Sequence, residues 1–183
     1  MVKDLITNTN IDKDKFFLSF TRHTPAMITM GVEGLNASIK GFGFVPKLEF
    51  IKQIINLLTQ AIESNEPNSL EILFDCIYSD QAATNIDTKH LISLEMAYKY
   101  TFKNVSEKGI TNCTLLYYMP PVTSYELRGE VVLHENDVYS NFANAVHDIY
   151  HRPKGQRRQE KAYLFQIHEI FDNSVKSFGN KIY

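Results

Sequence analysis

A chain of 183 residues with 44% hydrophobic and 22% charged residues has ordinary globular composition, and its length suits a single domain over 1–183. A formal charge of −2 argues against a broad surface for nucleic acid or anionic membrane. No apolar run approaches the roughly 20 residues of a spanning helix. Residues 1–8 have no apolar core of signal-peptide length, so a cytoplasmic protein without membrane association is expected.

Taken in order, residues 1–14 are polar and are expected as a loose lead-in. A strand is predicted over Phe16–Thr21 and is broken by Pro25. Ala26, Ile28, Met30 and Val32 alternate, as on a half-buried strand. Glu33-Gly34 turns the chain into a third strand over Asn36–Phe44, loosened at Gly41 and Gly43. Pro46 is expected to open a helix whose stripe is Leu48, Ile51, Ile55, Leu58 and Ile62.

Ser69–Tyr78 alternates with apolar residues on both faces, which predicts a central strand. A long helix is then predicted over Asp87–Lys108, with Leu91, Leu94, Tyr98, Phe102 and Val105 inward and Asp87 or Thr88 as cap. A strand over Asn112–Met119 follows; joined by that helix, it is expected parallel to the Ser69 strand. Ser124–His134 alternates again. Asn136 or Asp137 caps a helix that stops near His151 ahead of Pro153, and a strand over Ala162–Phe171 precedes a tail with little claim to order. The expected fold is α+β: a mixed, mainly antiparallel sheet of about seven strands and three main helices, with 69–171 in β-α-β-β-α-β order. Cys76 and Cys113 are expected as reduced thiols packed like small hydrophobes.

Three patterns carry candidate chemistry. His147 and His151 stand at i and i+4 with Asp148 between them, so both imidazoles share a helix face suited to a metal, with His134 and His168 as further candidates. The competing reading is a helix C-terminus complemented by histidine. The stretch 151–161 holds five Lys or Arg against one acid. Arg152, Lys154, Gly155, Arg157 and Arg158 would suit a phosphate-bearing cofactor, unless the run is a solvated connection. Glu126, Arg128, Glu130 and His134 share one strand face, where Glu126 or Glu130 would serve as a general base if that face lines a cleft. The expected partners are a small-molecule ligand and a second copy of the chain.

Two family resemblances bear on function. Leu70–Pro121, with Tyr78-Ser-Asp80 and the later Tyr-Tyr-Met-Pro120, resembles the strand-helix-strand core of GNAT-like N-acetyltransferases and uncharacterised archaeal proteins grouped with them. That likeness implies acetyl-CoA as cofactor, an acyltransferase-type enzyme, and Tyr150 as general acid. The superfamily's phosphate loop would fall at Asp80–Thr84, which has no glycine. The second resemblance is to FMN-binding split barrels: Thr24–Ser38 looks like their opening hairpin and Tyr125–Gly129 like a later strand. It implies a flavoprotein. A non-catalytic interaction module is the third reading.

Overall fold

The structure is a computed structural model and describes residues 24–151 and 159–183. The expected lead-in, the strand at Phe16–Thr21 and the segment Arg152–Arg158 lie outside the described residues. The strands are β1 (Ala26–Gly31), β2 (Gly34–Ile39), β3 (Gly43–Pro46), β4 (Ile86–Leu94), β5 (Ile110–Met119), β6 (Thr123–His134), β7 (Ala162–Asp172) and β8 (Asn180–Lys181). The helices are α1 (Leu48–Glu63), α2 (Ser69–Leu73), α3 (Tyr100–Lys108) and α4 (Val138–His151).

The fold is α+β with a single antiparallel sheet in the order β2-β1-β5-β6-β7-β4-β3, and β8 pairs with β7. The edges, β2 and β3, are consecutive in the chain and are joined only by Lys40–Phe42. That connection reaches no more than about 14 Å, whereas the edges of a flat seven-stranded sheet would lie about 29 Å apart. The sheet therefore curls into an open barrel, split between β2 and β3.

Alternation along the strands builds two cores. Met27, Leu115, Leu127, Val131, Tyr163 and Phe165 fill the barrel. Ile92, Ala162 and Leu164 point the other way, against Ile51, Leu58, Phe142 and Ile149 of α1 and α4. Leu91–Leu94 of β4 and Ala162–Phe165 of β7 are thus covered on both faces. The helix α4 starts where expected: Asp137 accepts hydrogen bonds from the backbone N–H groups of Tyr139 (3.1 Å) and Ser140 (2.9 Å). Asp137→Ala is expected to lower stability by about 1 kcal/mol, measured by urea denaturation.

The region 69–108 departs from expectation. Ser69–Tyr78 is not a strand but α2 followed by a π-helical turn, Phe74–Tyr78. Its buried residues Ser69, Leu73 and Ile77 recur every four positions, which decides for helix against the helical layer. The predicted helix over 87–108 is β4 followed by the shorter α3. Asp87 caps no helix; its carboxylate takes the Lys89 N–H and the His90 ring. The order β-α-β-β-α-β is present with β4 as first strand, and among the described residues every pairing is antiparallel, with no parallel crossover. Pro46 ends β3 and does not open α1. The tail is ordered by pairing with β7.

These corrections remove the strand-helix-strand unit on which the acetyltransferase likeness rested. Asp80–Thr84 leads into β4 through a short 3₁₀ turn, Ala82–Asn85, and not into a helix, so the acetyl-CoA expectation falls with it. Both thiols are free, as expected; Cys113 lies in the barrel, where burial pushes it up to about 12.

Candidate functional site

The helices cover only part of the outer sheet surface. On the β2-β1-β5-β6-β7 side the outer face carries a cleft of ≈ 560 Å³. Strand pairing sets its floor as a row: Ile28 opposes Thr114, Thr114 opposes Arg128, and Arg128 opposes Glu169. Met30 and Leu35, themselves paired, wall one end, while Asn112 and His168 complete the polar side.

A β-bulge shapes this floor. Arg128 opposes Glu169 while Gly129 opposes Ile167, leaving His168 as the extra residue of β7. Bulges re-aim side chains next to functional sites, and this one brings both His168 and Glu169 to the cleft. The backbones approach so closely here that a Cβ on Gly129 would lie 1.8 Å from the Gln166 carbonyl oxygen.

Arg128 is held in place. Its Nε donates to Glu126 at 2.6 Å, its guanidinium stacks over Phe171 at 4.3 Å, and Asn173 donates to the other Glu126 oxygen at 3.2 Å. The hydrogen bond from Arg128 holds the Glu126 carboxyl below the usual carboxylate range, against some burial. Arg128 lines the cleft, and the guanidinium N–H groups not engaged by Glu126 are donors of the planar kind that matches phosphate or carboxylate. Glu130 lies 4.0 Å from His168, and Glu169 is paired with Lys181 at 2.7 Å.

The structure therefore gathers Glu126, Arg128 and Glu130 on one face beside the cleft. His134 turns away, its ring on Asp137 at 2.6 Å and against Tyr139. Tyr150, expected as a general acid, is on α4 next to His151 and does not line the cleft. The rings of His147 and His151 are 4.5 Å apart, and His147 Nδ1 meets Asp148 at 3.3 Å. Burial and the neighbouring His147 hold the His151 imidazole below its ordinary value. Among the described residues there is no group of three or more His, Cys, Asp or Glu suited to a metal. The candidate cofactor residues Arg152, Lys154, Gly155, Arg157 and Arg158 lie outside the described residues.

Sequence reasoning passed over the apolar half of the cleft. Alternation gives two faces without saying which is inward, and β2 is inverted, with polar Asn36 and Ser38 half-buried and Leu35, Ala37 and Ile39 exposed. Leu35 and Ile39 are 71% and 68% exposed, and apolar groups massed on an open face mark a binding surface.

No family model matches the chain, and no curated protein matches it. Solved structures do. HupZ of Group A Streptococcus aligns over 95% of this chain and 100% of its own, at 11% identity and a TM-score of 0.52. A Clostridium acetobutylicum protein related to general stress protein 26, of the pyridoxinephosphate oxidase family, aligns over 96% and 91% at 9% identity, TM-score 0.48. An FMN-binding protein from Syntrophomonas wolfei aligns over 89% and 90% at 10% identity, TM-score 0.43. The HupZ match, at this identity, speaks to fold: the chain shares an open antiparallel barrel with HupZ. The acetyltransferase likeness is overturned by that fold. No helix among the described residues is long and apolar enough to cross a membrane.

Proposed function

We propose that the chain is a flavin-binding protein of split-barrel type, taking FMN in the outer cleft. One observation carries this reading. The two segments that resemble FMN-binding split barrels, Thr24–Ser38 and Tyr125–Gly129, are far apart in sequence yet both line the same cleft, through Ile28, Met30 and Leu35 of the first and Arg128 and Gly129 of the second.

The residues present suit the group. A volume of ≈ 560 Å³ lies within the roughly 300–1,000 Å³ of small-molecule sites, and an apolar wall with a few placed polar groups is their usual lining. Ile28, Met30 and Leu35 would face the ring system, Arg128 would fork the phosphate, and Asn112, Thr114 and His168 would orient polar edges. Bound there, the flavin would supply hydride or electron transfer. Glu126 fixes the arginine in this reading, and the general-base expectation for it gives way to that role. The same face would receive a second copy of the chain, seated on the exposed apolar residues Leu35, Ile39 and Leu116. Sedimentation of a dimer by wild type and of a monomer by Leu35→Asp is the expected result.

The test of the flavin reading is a thermal-shift and fluorescence titration with FMN and acetyl-CoA. FMN should raise the melting temperature, because a ligand that binds only the folded state stabilises it, and acetyl-CoA should not. Arg128→Ala should weaken FMN binding roughly 10- to 150-fold, and Arg128→Lys should weaken it as well, since charge without the fork does not restore the geometry. Unchanged FMN affinity in Arg128→Ala would reject the assignment of the phosphate. If Arg157→Ala with Arg158→Ala abolishes binding in its place, the phosphate belongs to the basic segment.

A further inference from the structure

Beyond the residues that line the cleft, the structure holds an elaborate attachment between α3 and the back of the β1–β2 hairpin. Asn104 is completely buried. Its Oδ1 accepts the Glu33 N–H at 2.9 Å, and its Nδ2 donates to the Gly34 carbonyl at 2.9 Å and to Thr29 Oγ1 at 3.3 Å. One side chain thus satisfies both sides of the hairpin turn and a cleft-lining threonine.

The contact is as close as backbone allows. A Cβ on Gly31 would come within 2.8 Å of the Asn104 Cα and Cβ, so a glycine is needed where the hairpin meets the helix. One turn earlier on α3, Thr101 takes Asn36 Nδ2 at 2.6 Å and shares a hydrogen bond with Ser38 at 2.8 Å. Lys103 adds an ion pair to Glu33 at 2.5 Å. Every polar residue of the inverted β2 strand is thereby turned inward to α3, which leaves Leu35, Ala37 and Ile39 no direction but outward.

We infer that Asn104, assisted by Thr101, is a positioning residue for the ligand cleft: by fixing the hairpin turn, it sets the height and tilt of the wall made by Ile28, Met30 and Leu35. This rests on the flavin reading for the identity of the ligand but not for the clamp itself. Asn104 touches no ligand. It acts through Thr29 and the turn, and its amide is required in one orientation, because acceptor and donors are all committed.

The test compares wild type, Asn104→Ala and Thr101→Val in two measurements. Hydrogen exchange read by mass spectrometry should show faster exchange over 29–36 in both variants, with the β6 peptide 123–134 unchanged. FMN affinity should fall about tenfold or more in Asn104→Ala, as expected for polar groups left without partners in a wall that must hold its shape. Thr101→Val keeps Asn104 and its turn contacts, so it should fold if Asn104→Ala does not, and should show the same pattern more weakly. Uniform acceleration across the sheet would make the clamp a general stability element and overturn the inference. So would a loosened hairpin with unaltered FMN affinity. A wild type that takes up no FMN defeats the flavin reading instead; the clamp then stands if exchange rises in the hairpin alone, and falls if it rises everywhere.

Discussion

Glu95→Ala is expected to cost the fold about 3–5 kcal/mol, the range for breaking a buried ion pair and leaving its partners unmatched. Glu95 is fully buried just past β4, at the split side of the barrel. Its carboxylate accepts four hydrogen bonds: Oε2 from Lys40 at 2.9 Å and from the Tyr163 hydroxyl, Oε1 from the N–H groups of Ala97 at 2.5 Å and Tyr98 at 2.7 Å. Lys40 belongs to the short connection between the two sheet edges, and its ammonium also lies 5.3 Å from the Tyr163 ring centroid. The network therefore ties the β2–β3 connection to β4 and β7. Burial alone would raise the Glu95 carboxyl, but the bonds from Tyr163, Lys40 and the two backbone N–H groups outweigh it and hold it below its ordinary value.

The sign of the pH dependence follows. A carboxyl depressed in the folded state contributes its full stability above the unfolded value of about 4.3 and loses it as pH falls through the folded one. The deficit of Glu95→Ala measured by denaturant titration should be complete at neutral pH and should shrink below about pH 4.3. Tyr163→Phe, which removes one donor to the carboxylate and no charge, should cost about 1.5–3 kcal/mol. A deficit in Glu95→Ala no larger than that of Tyr163→Phe would show that the ion pair contributes nothing beyond that one hydrogen bond.

Gly129→Ala is the second large effect, expected at about 3 kcal/mol, the upper part of the range for overpacking. The obstacle is backbone: the new Cβ would sit 1.8 Å from the Gln166 carbonyl oxygen and 2.9 Å from its carbon, in the middle of the long β6–β7 ladder. No rotamer change relieves it, so the bulge must open. Since the bulge presents His168 to the cleft, ligand affinity should fall with stability in this variant. Arg128→Ala, one residue earlier, should affect ligand with little loss of stability, because its side chain is half exposed. Equal melting temperatures for Gly129→Ala and wild type would mean that the ladder accommodates a side chain there.

Where period and burial agree, the sequence was readable. β5, β6, α4 and β7 emerge within a residue or two of their bounds, and Asp137 was legible as a cap from its place before Val138. Ser69–Tyr78 was not, because apolar residues fill it at steps of two and four at once; Ser69, Leu73 and Ile77 are buried at helical spacing inside a run that also alternates. The long helix drawn over 87–108 joined Phe102 and Val105, which are helical, to the strand residues Leu91 and Leu94. The boundary between them is made by Glu95 and by Tyr98 at φ 51°, and nothing local distinguishes a buried carboxylate whose partners are 55 and 68 residues away. The polar ladder Glu126, Arg128 and Glu130 was visible on one strand. Its meeting with Ile28, Met30, Leu35 and His168 was not, since that depends on β1 pairing with β5 and on a bulge in β7.

The strand order has a consequence for how the chain is assembled as it is made. β1 pairs with β2, β3 with β4, and β5 with β6, so pairing through His134 yields one group, β2-β1-β5-β6, and a separate two-stranded β4-β3. Only β7, which lies between β6 and β4, joins them, with ten paired positions on one side and five on the other. A two-stranded ribbon is marginal by itself in water. Synthesis must therefore deliver Ala162–Asp172 before the barrel has a continuous wall, and until then the apolar faces of β4 and β6 wait without their common neighbour. A chain stopped before Ala162 should expose those edges and aggregate, while one stopped after Asp172 has every strand needed to close the path from β2 to β3.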